Sequence, residues 1–217
     1  MNTVSKWVVI LCFFFSITVL AFAADGSQLK PPVGAKVAVV VFEDLECPSC
    51  ATAYPRIWET ANANSVPVVL HDFPLSKHPW SFQAAIYARF FDTKSQKLGN
   101  DFRGFIYKNQ PQITLSNLPQ YARKFADDNK IPLPFAIDPQ GELKAKVQAD
   151  YDLGVKSNLS ETPTIFVIGS APASPSFIQV TDLDKLTETI QEMQKKVPAS
   201  PSSHPPVRKK KQLTSQK

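Results

Sequence analysis

Residues 36–42, KVAVVVF, are the most restrictive stretch of the chain. An unbroken β-branched run this short is the pattern of a strand buried on both faces, which needs strands beside it and helices covering it. TIFVIG, residues 164–169, is a second run of the same kind. PVVLHD, residues 67–72, reads as a third strand, and the segment before it spaces Ala51, Tyr54, Ile57, Trp58 and Ala61 at helical intervals. Strand, helix and strand in that order form a βαβ unit, with a parallel pair and the helix on one face. The fold class is therefore α/β.

The 217 residues suit one domain with extensions, large enough to bury a core without a disulfide to hold it. The formal charge is +5, but Lys6, Arg208, Lys209, Lys210, Lys211 and Lys217 lie near the two ends, and without them the remainder carries −1. A nucleic-acid-binding domain would carry its positive charge on the folded body, so that class is disfavoured.

The organisation follows from composition. Lys6 precedes an apolar run, residues 7–23, that ends Ala21-Phe22-Ala23, the small-x-small pattern of an export-signal cleavage site. Residues 1–23 read as a signal peptide, with an uncleaved anchor as the alternative, since the run is close to the shortest that spans a bilayer. Residues 24–35 are expected to be a linker and 36–197 the domain. Residues 198–217, Pro/Ser-rich and then basic, lack an apolar face and are expected to be a disordered tail.

With Cys12 inside the signal, Cys47 and Cys50 are the cysteines of the mature chain. A structural disulfide gains by closing a long loop, and this pair closes a very short one. A structural zinc site needs four ligands, and His71, His78 and His204 offer neither a second Cys pair nor a closely spaced His pair. A redox dithiol is the reading that remains, and it needs no metal or cofactor. The helix should begin near Cys47 and kink at Pro55, and its N-terminus favours a thiolate. Cys47 is expected to be the exposed nucleophile and Cys50, one turn in, the buried resolving thiol. Pro48 and Ser49 between them should modulate the site. Glu43, Asp44 and Glu46 crowd the approach and are expected to raise the thiol pKa. His71 reads as structural and His78 as a loop residue.

FEDLECPSC, HDFPLSKHPWSFQAA and ETPTIFVIG together resemble the thioredoxin superfamily, and within it the DsbA-like disulfide oxidoreductases of the bacterial cell envelope. Within residues 80–156, SFQAAIYARFFD, SNLPQYARKFADDN and DPQGELKAKVQADYDLGV carry helical patterns; the resemblance implies a thioredoxin-like sheet of about four strands flanked by helices, with this block as a helical insertion between the second and third strands. It implies a cis Pro163 packed beside the dithiol and a Thr162 backbone that pairs with the client peptide. It implies an exported enzyme that places disulfides in reduced proteins and is reoxidised by a membrane quinone-linked partner of the DsbB or vitamin K epoxide reductase-like type. Only the short segment 24–35 precedes the first strand, which favours a monomer. The alternatives are a reductase or isomerase of the same fold and a peptide-binding chaperone. Two departures stand out. Val41 occupies the position where many relatives carry an acid, so no proton relay is expected there, and Ser49 stands where strongly oxidising relatives often have histidine. Beyond the third strand, SFIQV should be a strand and residues 181–197 a helix capped by Thr181.

Overall fold

The computed structural model describes residues 23–171, 173 and 176–197. The expected signal peptide, apart from Ala23, and the expected disordered tail lie outside the described residues. Four strands form one sheet: β1 (Val37–Glu43), β2 (Val68–Asp72), β3 (Thr164–Gly169) and β4 (Phe177–Val180), in the order β2-β1-β3-β4. β1 runs parallel to β2 and antiparallel to β3, so the two most apolar runs are central, as their patterns require.

Side-chain alternation along β1 assigns the layers. Val37, Val39 and Val41 pack against α1 (Pro48–Ala63) and α6 (Leu186–Lys196), through Ala53, Ile57, Leu186 and Ile190. Ala38, Val40 and Phe42 face the other way, onto Leu29, Phe73, Leu159 and Phe166. Residues 24–35 form no helix or strand, yet Leu29 is buried and the Asp25 N–H donates to the Ser157 carbonyl at 2.9 Å, so this segment lies packed on the domain.

Between β2 and β3 stand four helices, α2 (Ser81–Asp92), α3 (Gln96–Asn109), α4 (Leu118–Asp128) and α5 (Glu142–Lys156). They enclose a core of Phe91, Phe102, Ile106 and Phe125 that reaches Leu45 and the two cysteines. α3 is the element the sequence patterns did not single out. Its QKLGNDFRGFIYKN carries two glycines and buries an arginine on its inner face, so the apolar period is broken where a core helix would show it most clearly. Gly99 lets α3 approach α2, because a Cβ there would fall 1.7 Å from Asp92 Oδ1. Thr181 is not the cap of the last helix. Asp182 accepts from the Asp184 N–H at 3.0 Å and caps a short 3-10 turn (Leu183–Lys185) that leads into α6.

Candidate active site

β1 delivers the chain to the dithiol through a tight turn in which the Cys47 N–H donates to the Asp44 carbonyl at 3.0 Å. Cys47 is the N-cap residue of α1 and Pro48 occupies the first turn, where its missing N–H costs the helix nothing. Both cysteines are free thiols. Cys47 is 6% and Cys50 2% exposed, so Cys50 is the more deeply buried, but the expectation of an exposed Cys47 is corrected: it too is buried under the turn and the Thr162 backbone. Pro48 and Ser49 form the exposed rim.

The Thr162-Pro163 peptide bond is cis. Cys47 Sγ lies 3.2 Å from the Thr162 carbonyl oxygen, 115 positions along the chain. Pro163 touches one cavity with Cys50 and a groove with Ser49. The structure thus brings Cys47, Pro48, Ser49, Cys50, Thr162 and Pro163 together at the N-terminus of α1. The side chain of Gln110, just beyond α3, steadies this turn by donating to the carbonyls of Leu45 and Cys47 at 2.9 and 3.1 Å.

The Cys47 thiol is pulled down from its ordinary value to about 5. A hydrogen bond from the Cys50 thiol is the foremost cause, burial opposes it, and the Thr162 side chain and the N–H groups of Cys50 and Ser49 add to it. The last two are donors left free at a helix start. Cys50 goes the other way, pushed well up by burial, by the Cys47 thiol and by the charge of Glu43.

The expectation that Glu43, Asp44 and Glu46 would oppose a thiolate at Cys47 is overturned, because all three carboxylates are directed elsewhere. Glu46 Oε2 accepts from the Trp80 and Ser81 N–H groups at 2.8 and 3.1 Å, capping α2. Asp44 accepts from the N–H of Leu75 at 2.7 Å and meets His78 Nδ1 at 2.6 Å. His78 is thereby tied to the loop. His71 pairs with Asp150 at 2.7 Å and stacks on Phe42.

Glu43 is buried, on the same face of β1 as Val41. Its Oε2 accepts from the Tyr107 hydroxyl at 2.9 Å, and its Oε1 lies 3.0 Å from Arg103 Nε without an aligned hydrogen bond. Burial pushes its pKa up to about 7 against the pull of Arg103. Glu43, Cys50 and Tyr107 all line a small cavity of about 10 Å3. Arg103, fully buried, holds Asp92 through two bonds of 2.9 and 3.0 Å and reaches toward Asp72 at 3.8 Å. Arg89 joins Asp72 and Asp150 on the outer side. Val41 is apolar, as expected, but a carboxyl group stands close to the dithiol from the next inward-facing position of the strand.

The family model described as Thioredoxin matches residues 33–191. The chain belongs to the thioredoxin family. BdbD from Bacillus subtilis has a similar fold, with a TM-score of 0.63 and 22% identity over 79% of this chain and 98% of that one. The thiol-disulfide exchange protein alpha-DsbA2 from Wolbachia pipientis gives 0.58 and 16%, over 75% and 84%. The fold is that of a DsbA-like thioredoxin-superfamily protein. Among curated relatives, the Na(+)/H(+) antiporter NhaA 3 of Salinispora tropica is 28% identical over 157 residues, 71% of this chain and 24% of that protein. The chain spans about a quarter of the length of the curated relatives it matches.

In this thioredoxin-family site the chemistry available is sulfur exchange. A low-pKa sulfur with a high-pKa sulfur behind it can serve as a nucleophile and a proton-holding partner. A groove of about 510 Å3 runs beside them, lined by Ser49, Thr52, Arg56, Pro163, Val180 and Asp182. Among the described residues no group of three or more His, Cys, Asp or Glu is placed to hold a metal, and no helix is long and apolar enough to cross a membrane. One result is expected directly. The thiolate absorbance of the reduced protein should titrate with a midpoint near 5, and a single midpoint near the free-thiol value of about 8.5 would contradict the arrangement at α1.

Proposed function

We propose that the protein is an exported thiol:disulfide oxidoreductase that donates disulfides to reduced client proteins of the cell envelope through its CPSC dithiol. The observation that carries this reading is Cys47 at the start of α1, its thiol held near 5, against the cis Thr162-Pro163 bond. Cys47 and Cys50 are the exchanging pair, Thr162 and Pro163 hold the client backbone, and Pro48 and Ser49 tune the thiolate.

In the oxidised protein a client thiolate attacks Cys47 Sγ. The Cys47–Cys50 bond breaks, and its electron pair goes to Cys50, which takes up a proton. A second client thiolate then attacks the client sulfur of the mixed disulfide, and Cys47 leaves as a thiolate. The client gains a disulfide and the protein two electrons, the state with two free thiols. A membrane quinone-linked partner of the DsbB or vitamin K epoxide reductase-like type withdraws those electrons. The protein works outside the cytoplasm, as a monomer, and requires no cofactor.

The thiolate supports this direction of transfer. A cysteine whose folded pKa is depressed stabilises the folded reduced form. That gain is complete above the unfolded pKa and is lost as pH falls through about 5. Stabilising the reduced form makes the disulfide a better oxidant. At neutral pH the dithiol form should therefore unfold at a higher temperature than the disulfide form, and the gap should close toward pH 5. The test is the reduction potential, read by alkylation after equilibration in glutathione buffers. A value toward about −120 mV supports the donor, and one near about −270 mV assigns the protein to reductases instead.

A further inference from the structure

A second groove, of about 830 Å3, lies on the opposite flank of α1 from the Pro163 groove, between α1 and α3. Tyr54, Pro55 and Trp58 form one wall, Gly104 and Tyr107 the other, and Lys108 stands at the rim. The Tyr54 and Tyr107 rings lie 5.1 Å apart, and the Tyr54 hydroxyl donates to the Asn100 carbonyl at 2.7 Å, which fixes the aromatic floor. Pro55 has no N–H to give the Ala51 carbonyl, so a backbone acceptor loses its helical donor at the end of the groove nearest the dithiol. Lys108 makes no hydrogen bond or ion pair among the described residues, while Lys97 across the rim is neutralised by Asp101 at 2.7 Å.

These features fit a piece of polypeptide. The walls suit an apolar or aromatic side chain, the acceptor suits a backbone N–H, and the unpaired ammonium suits a carboxylate. The groove also flanks the helix that carries the site. Ser49, Thr52 and Arg56 look into the Pro163 groove, whereas Ala51, Tyr54 and Trp58 look into this one. A chain crossing the N-terminus of α1 over Cys47 therefore has a groove on each side. At about 1.5 Å per helical residue, Ala51 and Trp58 lie about 6 and 16 Å along α1 from Cys47. An extended peptide at about 3.3 Å per residue covers that distance in about two to five residues.

We propose that the α1–α3 groove is a client subsite that takes an apolar or aromatic side chain with an acidic neighbour, a few residues from the reacting cysteine. The proposal rests on the exchange function and adds a client preference to it.

The test uses the oxidised full-length protein and synthetic peptides with one cysteine. Phe or Ser, with and without an adjacent Asp, is placed at each of the second to fifth positions on either side. Formation of the mixed disulfide is timed by mass spectrometry after acid quenching. At one or more positions the Phe peptide should react about tenfold faster than its Ser counterpart, the factor a buried aromatic side chain supplies. Gly104→Leu fills the groove from a helix position where the new Cβ meets only Tyr54 Cε1, at 3.4 Å. It should erase that factor and leave the rate of the Ser peptides unchanged. Lys108→Glu, on the exposed rim, should reverse the effect of the Asp neighbour. Equal rates for Phe and Ser peptides at every position, or a preference untouched by both substitutions, would overturn the subsite while leaving exchange intact. A Gly104-dependent dimer in sedimentation without any peptide preference would assign the groove to a second copy and also overturn it. Failure of every peptide and of dithiothreitol to reduce the protein would instead remove the exchange function on which the proposal stands.

Discussion

Replacing Cys47 with serine is expected to abolish disulfide transfer, lowering the rate by at least about three orders of magnitude. The effect is total because the two sulfurs are not interchangeable. Cys50 is 2% exposed, and its thiol is pushed well above the ordinary range, so at neutral pH it is protonated as well as covered. It cannot take over the attack. Cys50→Ser should behave differently: its Cys47 thiolate attacks a peptide disulfide, one peptide sulfur leaves as a thiol, and the mixed disulfide accumulates because no internal thiol releases it. Non-reducing electrophoresis after incubation with a disulfide-linked dimer of a one-cysteine peptide separates the two results, a mixed disulfide forming with Cys50→Ser and none with Cys47→Ser. A Cys47→Ser protein that still delivers disulfides would sink the assignment. One that binds unfolded clients as tightly as the parent, with the parent itself inactive in transfer, would make the protein a peptide-binding chaperone.

The largest effect on stability is expected at Arg103, far from any surface. Arg103→Leu removes the cation shared by Glu43, Asp72 and Asp92 and leaves carboxylates in the interior. Deleting one partner of a buried ion pair costs about 3–5 kcal/mol, a large share of a typical domain's total of about 5–15 kcal/mol. Burial works against the guanidinium as well, but the carboxylates around it outweigh that and its pKa is raised, so it remains charged. The loss should depend on pH with a definite sign. Glu43 has its folded pKa raised from 4.5 to about 7, so the folded state holds more protons than the unfolded one across that window, and stability falls as pH rises through it. Without Arg103 the carboxylates hold their protons to higher pH, and the window extends upward. Urea unfolding should therefore show Arg103→Leu most destabilised at about pH 8 and least at about pH 5. Glu43→Gln in the same chain should recover part of the loss at the higher pH. A variant that unfolds like the parent at both values would show that the cluster is not held by the arginine.

Much of the architecture was legible because it depends on short-range pattern. Residues 36–42 and 164–169 are β-branched runs with no polar interruption, and both became central strands. Cys47 and Cys50 were readable as a candidate redox dithiol by exclusion, and the resemblance supplied the cis Thr162-Pro163 bond that faces them. α3 escaped because one of the residues it buries completely is Arg103, which breaks the apolar period used to find helices. The error over the three acids has the same origin. Adjacency in sequence places Glu43, Asp44 and Glu46 near Cys47, but the sign of their effect depends on where each carboxylate points.

The sequence by itself determined the central strands, the helix that starts at the dithiol, the cysteine pair proposed to exchange sulfur and the extent of the helical block between β2 and β3. These follow from local periodicity and from what two cysteines three positions apart can do. Only the tertiary structure decided which acids matter. It turned Glu46 to the start of α2 and Asp44 to His78, and it brought Arg103 and Tyr107 from α3 onto Glu43 behind Cys50. The reason is that a buried charge must find its counter-charge, and that partner comes from the element packed against it, however far away in the chain.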